Sequence, residues 1–231
     1  QAKNDGSSYF HGLTVRVEKR FSHGLQFLSN YQFARTMEKR NRLNDFSGPE
    51  KRAADIDRPH RFVTSSSYEL PFGRGKALGG NAGPVLDRII GGWIVNGIFS
   101  YEVGAPTGDW PGSLIYLGGP LNWNPRGVDG AFDVTRFNRN SAQQLSNNVR
   151  TFPTKFSSLR GDSGKNVDAS ILKNIRIKER VMLQFRAEFL NAFNHAAFSG
   201  PQLNPTNTNF GTITGVSNLE RHIQLALRLT W

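Results

Sequence analysis

Apolar and polar positions alternate along much of this chain, most clearly in its last run. Ile223, Leu225, Leu227, Leu229 and Trp231 interleave with His222, Gln224, Ala226, Arg228 and Thr230. A period of two puts the first set on one face of a strand and the second on the other. The rhythm recurs upstream. Leu13, Val15 and Val17 alternate with Thr14, Arg16 and Glu18, and Leu25, Phe27, Tyr31 and Phe33 alternate with Gln26, Asn30 and Gln32, with Leu28 and Ser29 out of step. A weaker strand, carrying Ser65, Ser66 and Ser67, is expected from about Arg61 to Leu70. Trp93, Val95, Phe99, Tyr101 and Val103 oppose Asn96, Ser100 and Glu102. Ile171, Ile175 and Ile177 mark the next strand, with Lys173 an exception on their face. Val181, Leu183, Phe185, Ala187 and Phe189 then alternate with Gln184, Arg186 and Glu188. The pattern predicts an all-β antiparallel meander of about seven long strands.

The connections carry a second signal. Tight turns are expected at 22–24 and 178–180, a Gly-rich connection at 71–92, and long polar loops at 40–59, 104–166 and 194–219. Long and shorter connections alternate, so in a meander all the long ones fall at one end. Transmembrane β-barrels are built this way, and strands near ten residues suit a tilted crossing of the hydrocarbon core. Greek-key sandwiches, which would turn the same apolar faces inward, mix loop lengths at both ends. Phe21, Trp93, Tyr101, Phe193 and Trp231 fall near strand ends, where interfacial aromatic girdles sit. Part of an outer-membrane barrel is expected, and an open, curved sheet if the chain stands alone.

Composition narrows this reading without changing it. The 231 residues are 37% hydrophobic, and no apolar run is long enough for a transmembrane helix. A mean hydropathy of −0.47 does not argue against a barrel, whose alternating strands hide their apolar content. Cysteine is absent, which excludes disulfides and Cys-based zinc sites. The net charge of +11 first suggests nucleic acid. The basic residues are dispersed, however, and the densest group (Lys39, Arg40, Arg42, Lys51, Arg52) lies in a polar stretch. Anionic lipid head groups or an anionic solute fit as well, and no nucleic-acid partner is expected. Gln1 to Asp5 lacks the apolar core of a signal peptide, so a leader removed upstream or a longer parent chain is expected.

Few motifs carry chemistry. Gly161-Asp162-Ser163-Gly164 is similar to a serine-protease nucleophile segment, but it lacks the next glycine and any His and Asp context; it reads as a loop. Gly73-Arg74-Gly75-Lys76 lacks the Ser or Thr of a phosphate loop, and no helix pattern follows it. The five histidines lack ligand spacing, and Asp55 with Asp57 falls short of a calcium shell, so these two read as solvated loop charges. No catalytic, cofactor or metal site is expected, and the chain is not expected to be an enzyme. Arg16, Glu18, Glu102, Arg186, Glu188 and Arg228 occupy polar faces, where a barrel would place them in its lumen as charge pairs or solute contacts. Trp110, Tyr116 and Trp123 in the longest loop either stack on a sugar or aromatic ligand or pack the loop on itself.

Several segments together resemble a known family. RVEKRFSHGLQFLSNYQFART (16–36), DRPHRFVTSSSYELPFGRGK (57–76), IIGGWIVNGIFSYEVGAP (89–106), LQFRAEFLNAFNHAAFSGP (183–201) and the terminal strand are similar to the C-terminal barrel region of TonB-dependent receptors. The resemblance is to the Oar-like type, which carries a carboxypeptidase-regulatory-like N-terminal domain, and it covers most of the chain apart from 104–166. It implies a 22-stranded barrel with an N-terminal plug, TonB-energised uptake and the outer membrane of a Gram-negative cell. The chain departs from that pattern in its strand number and in having neither plug nor TonB box. It is therefore expected to be about the last third of a receptor barrel. Its partners would be outer-membrane lipid and the rest of the barrel and plug; TonB would act only through the absent N-terminal part, and the solute is unnamed. The resemblance also makes Ile223, Leu225, Leu227, Leu229 and Trp231 a membrane-insertion signal. A non-transporting surface module, such as an adhesin or lectin-like glycan binder, is the alternative.

Overall fold

The computed structural model describes residues 5–144, 149–178 and 180–231. One antiparallel sheet organises them. Its strands are β1 (Ser7–Ser22), β2 (Leu25–Arg42), β3 (Pro49–Ala53), β4 (His60–Glu69), β5 (Trp93–Glu102), β6 (Gly164–Lys178), β7 (Val181–Leu190) and β8 (His222–Thr230). Seven of them pair in the order β1-β2-β4-β5-β6-β7-β8, and β3 pairs with β2 alone. The sheet is an open meander, with β1 and β8 as its edges.

The expected meander of seven long strands is present, and two features add to it. The strand number among the described residues is eight, because the polar 40–59 loop folds part of itself back as β3, with Met37 opposite Ala53 and Lys39 opposite Lys51. Charged side chains such as Lys51 and Arg52 had hidden a strand that runs along the far end of β2, which is 18 residues long. The 71–92 connection is also not plain coil: it contains the helix α1 (Pro84–Ile90), with proline in its first turn. Seven residues are too few to show a helical period in a sequence.

Cross-strand register makes one face continuous. Leu227 lies opposite Phe185, Phe185 opposite Lys173, Lys173 opposite Trp93, and Val95 opposite Tyr68. Tyr68 lies opposite Leu25, Tyr31 opposite Phe62, and Tyr31 also opposite Val15. Because opposed residues share a side, the apolar sets of all seven long strands form one surface. This surface is not covered: Leu13, Val17, Leu225 and Leu227 are each more than half exposed. Ser29, one of the residues out of step, lies on it and is satisfied by the Thr64 hydroxyl at 2.7 Å.

The buried core lies in the loops instead. Trp110, Leu114, Ala131, Phe132 and Phe137 from the longest connection pack with Phe210 and Ile213 from the last. Strands β5 and β7, ten residues each, run about 34 Å and at a 40° tilt span about 26 Å, close to the apolar height of an outer-membrane barrel. The β1–β2 turn is as tight as the sequence implied: His23 (φ 53°) and Gly24 (φ 79°) both adopt the left-handed conformation of a type I′ hairpin. Of the expected 178–180 turn, residue 179 lies outside the described residues, as do residues 1–4 of the N-terminal segment.

Candidate functional site

The face opposite the apolar one carries most of the strands' polar and charged side chains, with Leu28, Val63, Ile98 and Leu172 among them. Arg16 lies opposite Asn30, Asn30 opposite Val63, and Arg61 opposite Glu102. Asn96 lies opposite Ser170, Ser170 opposite Glu188, and Gln184 opposite Arg228. The register therefore puts Arg16, Glu18, Glu102, Arg186, Glu188 and Arg228 on one side of the sheet, though not in one cluster. Arg16 pairs with Glu18 at 2.9 Å, Arg186 with Glu188 at 3.3 Å, and Arg58 approaches Glu102 at 3.8 Å. Arg228, on the edge strand, makes no ion pair among the described residues.

Two clefts open on this face. One, of about 450 Å³, lies toward the tight turns between Arg16, Glu18, Gln26, Ser67 and Asn96. The other, of about 500 Å³, lies under the long loops between Arg61, Glu102, Asn166, Asp168 and His222. Both linings are mixed: amides, hydroxyls and charges lie beside Phe21, Phe27, Leu28 and Ile98 in the first cleft and Tyr101, Leu190 and Leu219 in the second.

The long connections meet at one end and are locked together by polar contacts. Asp57 is fully buried: its carboxylate accepts from the Thr36 backbone N–H at 2.7 Å and from the Arg160 guanidinium, with Arg35 at 3.6 Å. Arg160 also donates to the backbone oxygens of Asp57 at 3.0 Å and Gly104 at 3.1 Å. Arg52 donates to Glu38 at 2.9 Å and to Asp109 at 2.7 Å. Lys155, nearly buried, pairs with Asp55 and lies 3.5 Å from Asp109; burial and the neighbouring Arg52 charge hold its pKa below the ordinary lysine range. Asp57 is therefore no solvated loop charge, and both it and Asp55 already have cationic partners.

These contacts also decide the aromatic alternatives. Trp110 is buried and stacks on Phe137 at a centroid distance of 5.5 Å. Trp123 stacks on Phe132 at 5.9 Å, and Tyr116 packs on Phe152 at 4.8 Å. The loop packs on itself. Asp162 of the protease-like segment serves as a staple, accepting from Arg126 at 2.6 Å and from the Phe198 N–H at 3.1 Å. Gly73 to Lys76 forms a turn in which the Lys76 N–H donates to the Gly73 oxygen at 3.1 Å.

The roles of Arg160, Asp57, Arg52 and Asn191 in joining the loops are not legible in the sequence. Asn191 joins β7 to the last loop, donating from its backbone N–H to Asp168 at 2.9 Å and from its side-chain amide to the Leu219 oxygen at 3.0 Å. Partners 14 to 103 residues apart on different elements leave no local pattern. One signal was available: Gly104 and Gly161 flank the longest loop, and a Cβ on Gly104 would lie 2.0 Å from the Gly161 oxygen. Only glycine lets the two loop stems approach so closely.

Comparison with known proteins agrees with this architecture. A family model described as an outer membrane beta barrel domain matches residues 1–224. Neither curated proteins nor solved structures gave a match to the chain. An uncovered apolar face, a polar opposite face and a meander with long loops at one end are what such a domain requires, and with the family match over nearly its whole length the chain belongs to the outer membrane beta barrel domain family, located in the bacterial outer membrane.

Proposed function

We propose that the chain is the C-terminal barrel segment of a TonB-dependent receptor of the Oar-like type, serving uptake or surface binding of a solute rather than catalysis. The observation that carries this reading is the two-sided sheet beneath a packed loop cap. In the receptor the apolar face meets lipid. The polar face, with Arg16, Glu18, Glu102, Arg186, Glu188 and Arg228, lines a hydrated lumen, and the cap faces outward. Ile223, Leu225, Leu227, Leu229 and Trp231 then present the assembly machinery with one apolar row that ends in an amphipathic ring. The two open edges support a segment that pairs with further strands, since unpaired N–H and C=O groups in lipid cost several kcal/mol each.

The experiment is affinity capture of the TonB protein by the full-length parent protein, alongside solute uptake with and without TonB. Capture and TonB-dependent uptake are expected. A protein that stays in the outer membrane but neither captures TonB nor changes uptake would favour the non-transporting surface module, with its loop cap as the binding surface.

A further inference from the structure

The connection between β4 and β5 stands apart at the tight-turn end, because it carries a helix with nothing over its apolar side. Val85, Leu86 and Ile89 of α1 are 72%, 50% and 63% exposed. At 3.6 residues per turn these three and Ile90 share an arc of about 140°, with Asp87 and Arg88 on the other side. The helix is too short to persist by itself. Its C-terminal end is tied to the apolar face of the sheet: Lys173 Nζ donates to the Ile89 oxygen at 3.0 Å and also to the Gly91 oxygen, and Trp93 Nε1 donates to the Ile89 oxygen at 3.0 Å. The Arg74 N–H donates to Asp87 at 2.6 Å and fixes the preceding turn. These bonds explain the apparent exception of a lysine on the apolar face, whose ammonium is satisfied by helix-terminal carbonyls.

Beside the helix, Leu70, Phe72, Leu78, Ile90 and Trp93 line an apolar groove of about 420 Å³. Leu70 follows Tyr68 and Trp93 precedes Val95 on the outward rows of β4 and β5, so the groove continues the apolar sheet face. Arg74, two residues after Phe72, and Arg88, on the polar side of α1, are exposed and make no ion pair among the described residues, whereas Lys76 pairs with Glu69 at 2.9 Å. We propose that α1 and this groove form a lipid-docking element, in which the helix lies in the head-group layer, the groove takes a phospholipid acyl chain, and Arg74 and Arg88 meet anionic head groups. The inference rests on the lipid-facing reading of the apolar sheet face, and it fits the known physics of short amphipathic helices at membrane surfaces.

The test uses the full-length protein in vesicles of phosphatidylethanolamine and phosphatidylglycerol. An environment-sensitive fluorophore is placed at Leu86→Cys, Leu227→Cys or the loop position Val128→Cys, each the one cysteine in this chain. Nitroxide lipids labelled near the head group or at mid-chain act as quenchers. The Leu86 label should emit to the blue and be quenched more by the head-group-proximal nitroxide, the Leu227 label more by the mid-chain one, and the Val128 label by neither. Val85→Cys, on the same arc, provides a second position if Leu86→Cys does not assemble. An unquenched α1 label beside a quenched Leu227 label would overturn the docking element and leave the barrel face standing. A blue-shifted but unquenched α1 label would overturn it in favour of a protein partner. Two unquenched labels would overturn both.

Discussion

Exchanging the character of two adjacent residues on β8 tests the assignment of faces. Leu227 is the middle member of the row Ile223, Leu225, Leu227, Leu229 and Trp231, opposite Phe185, and 70% exposed on the apolar face. Arg228 follows it on the polar face, opposite Gln184. With the apolar row spanning the hydrocarbon, Leu227 lies within a few ångströms of the midplane. Leu227→Arg then costs roughly 2–4 kcal/mol, the range for a basic residue at that depth. At 1.4 kcal/mol per decade, that is roughly a 30- to 700-fold loss in the folding equilibrium. Arg228→Leu removes a hydrated charge that has no ion-pair partner among the described residues, and is expected to cost below about 1 kcal/mol. Denaturant titration of the full-length protein in vesicles gives both values, and the amount of heat-resistant barrel in outer membranes gives the cellular counterpart. Equal costs for the two variants, or a larger one for Arg228→Leu, would refute the outward assignment of the Leu227 row.

Single cysteines at Asp45, Val128 and Thr206 should react with an impermeant reagent on intact cells, and one at Arg180 should not; labelling at Arg180 would overturn the shared placement of the long loops. Arg160→Met leaves the fully buried Asp57 with Arg35, at 3.6 Å, as its remaining cation among the described residues, and should loosen the loop cap by about 3 kcal/mol, seen as faster proteolysis of the loops. The double variant Arg160→Met, Asp57→Asn should recover part of that loss, and a double variant as impaired as the sum of the two singles would argue against the pairing. Residues 1–231 expressed alone should aggregate or need detergent because both sheet edges are open; a monodisperse, ion-conducting monomer would show closure by the chain itself.

The sheet was legible because its physics is local. A strand with one apolar face writes itself as period two, which is why β5, β7 and β8 lie within a few residues of their expected limits. Where the two faces are less distinct, the pattern loses hold. β1 begins at Ser7 rather than near Leu13, and β2 continues to Arg42, because the strands still pair there although apolar residues such as Phe10 and Met37 no longer alternate with polar ones. β3 was hidden for the same reason. The loop cap was illegible as a structure, since its core joins Trp110 and Phe137 to Phe210 across long separations and its staples join Asp57 to Arg160. Arg16, Glu18, Arg186 and Glu188 are expected on polar faces from the alternation alone, and their i,i+2 ion pairs lie within single strands. That Arg16 and Glu18 line one cleft and Glu102 another depends on strand order, which no single strand encodes.

The most direct test of the two-sided sheet is a nitroxide scan of β8 from His222 to Thr230 in vesicle-bound full-length protein, reading collisions with oxygen, which concentrates in lipid, and with a nickel chelate, which stays in water. A two-sided strand gives oxygen maxima at Ile223, Leu225, Leu227 and Leu229 and nickel maxima at His222, Gln224, Ala226, Arg228 and Thr230. A flat profile, or an alternation of the opposite phase, would contradict it.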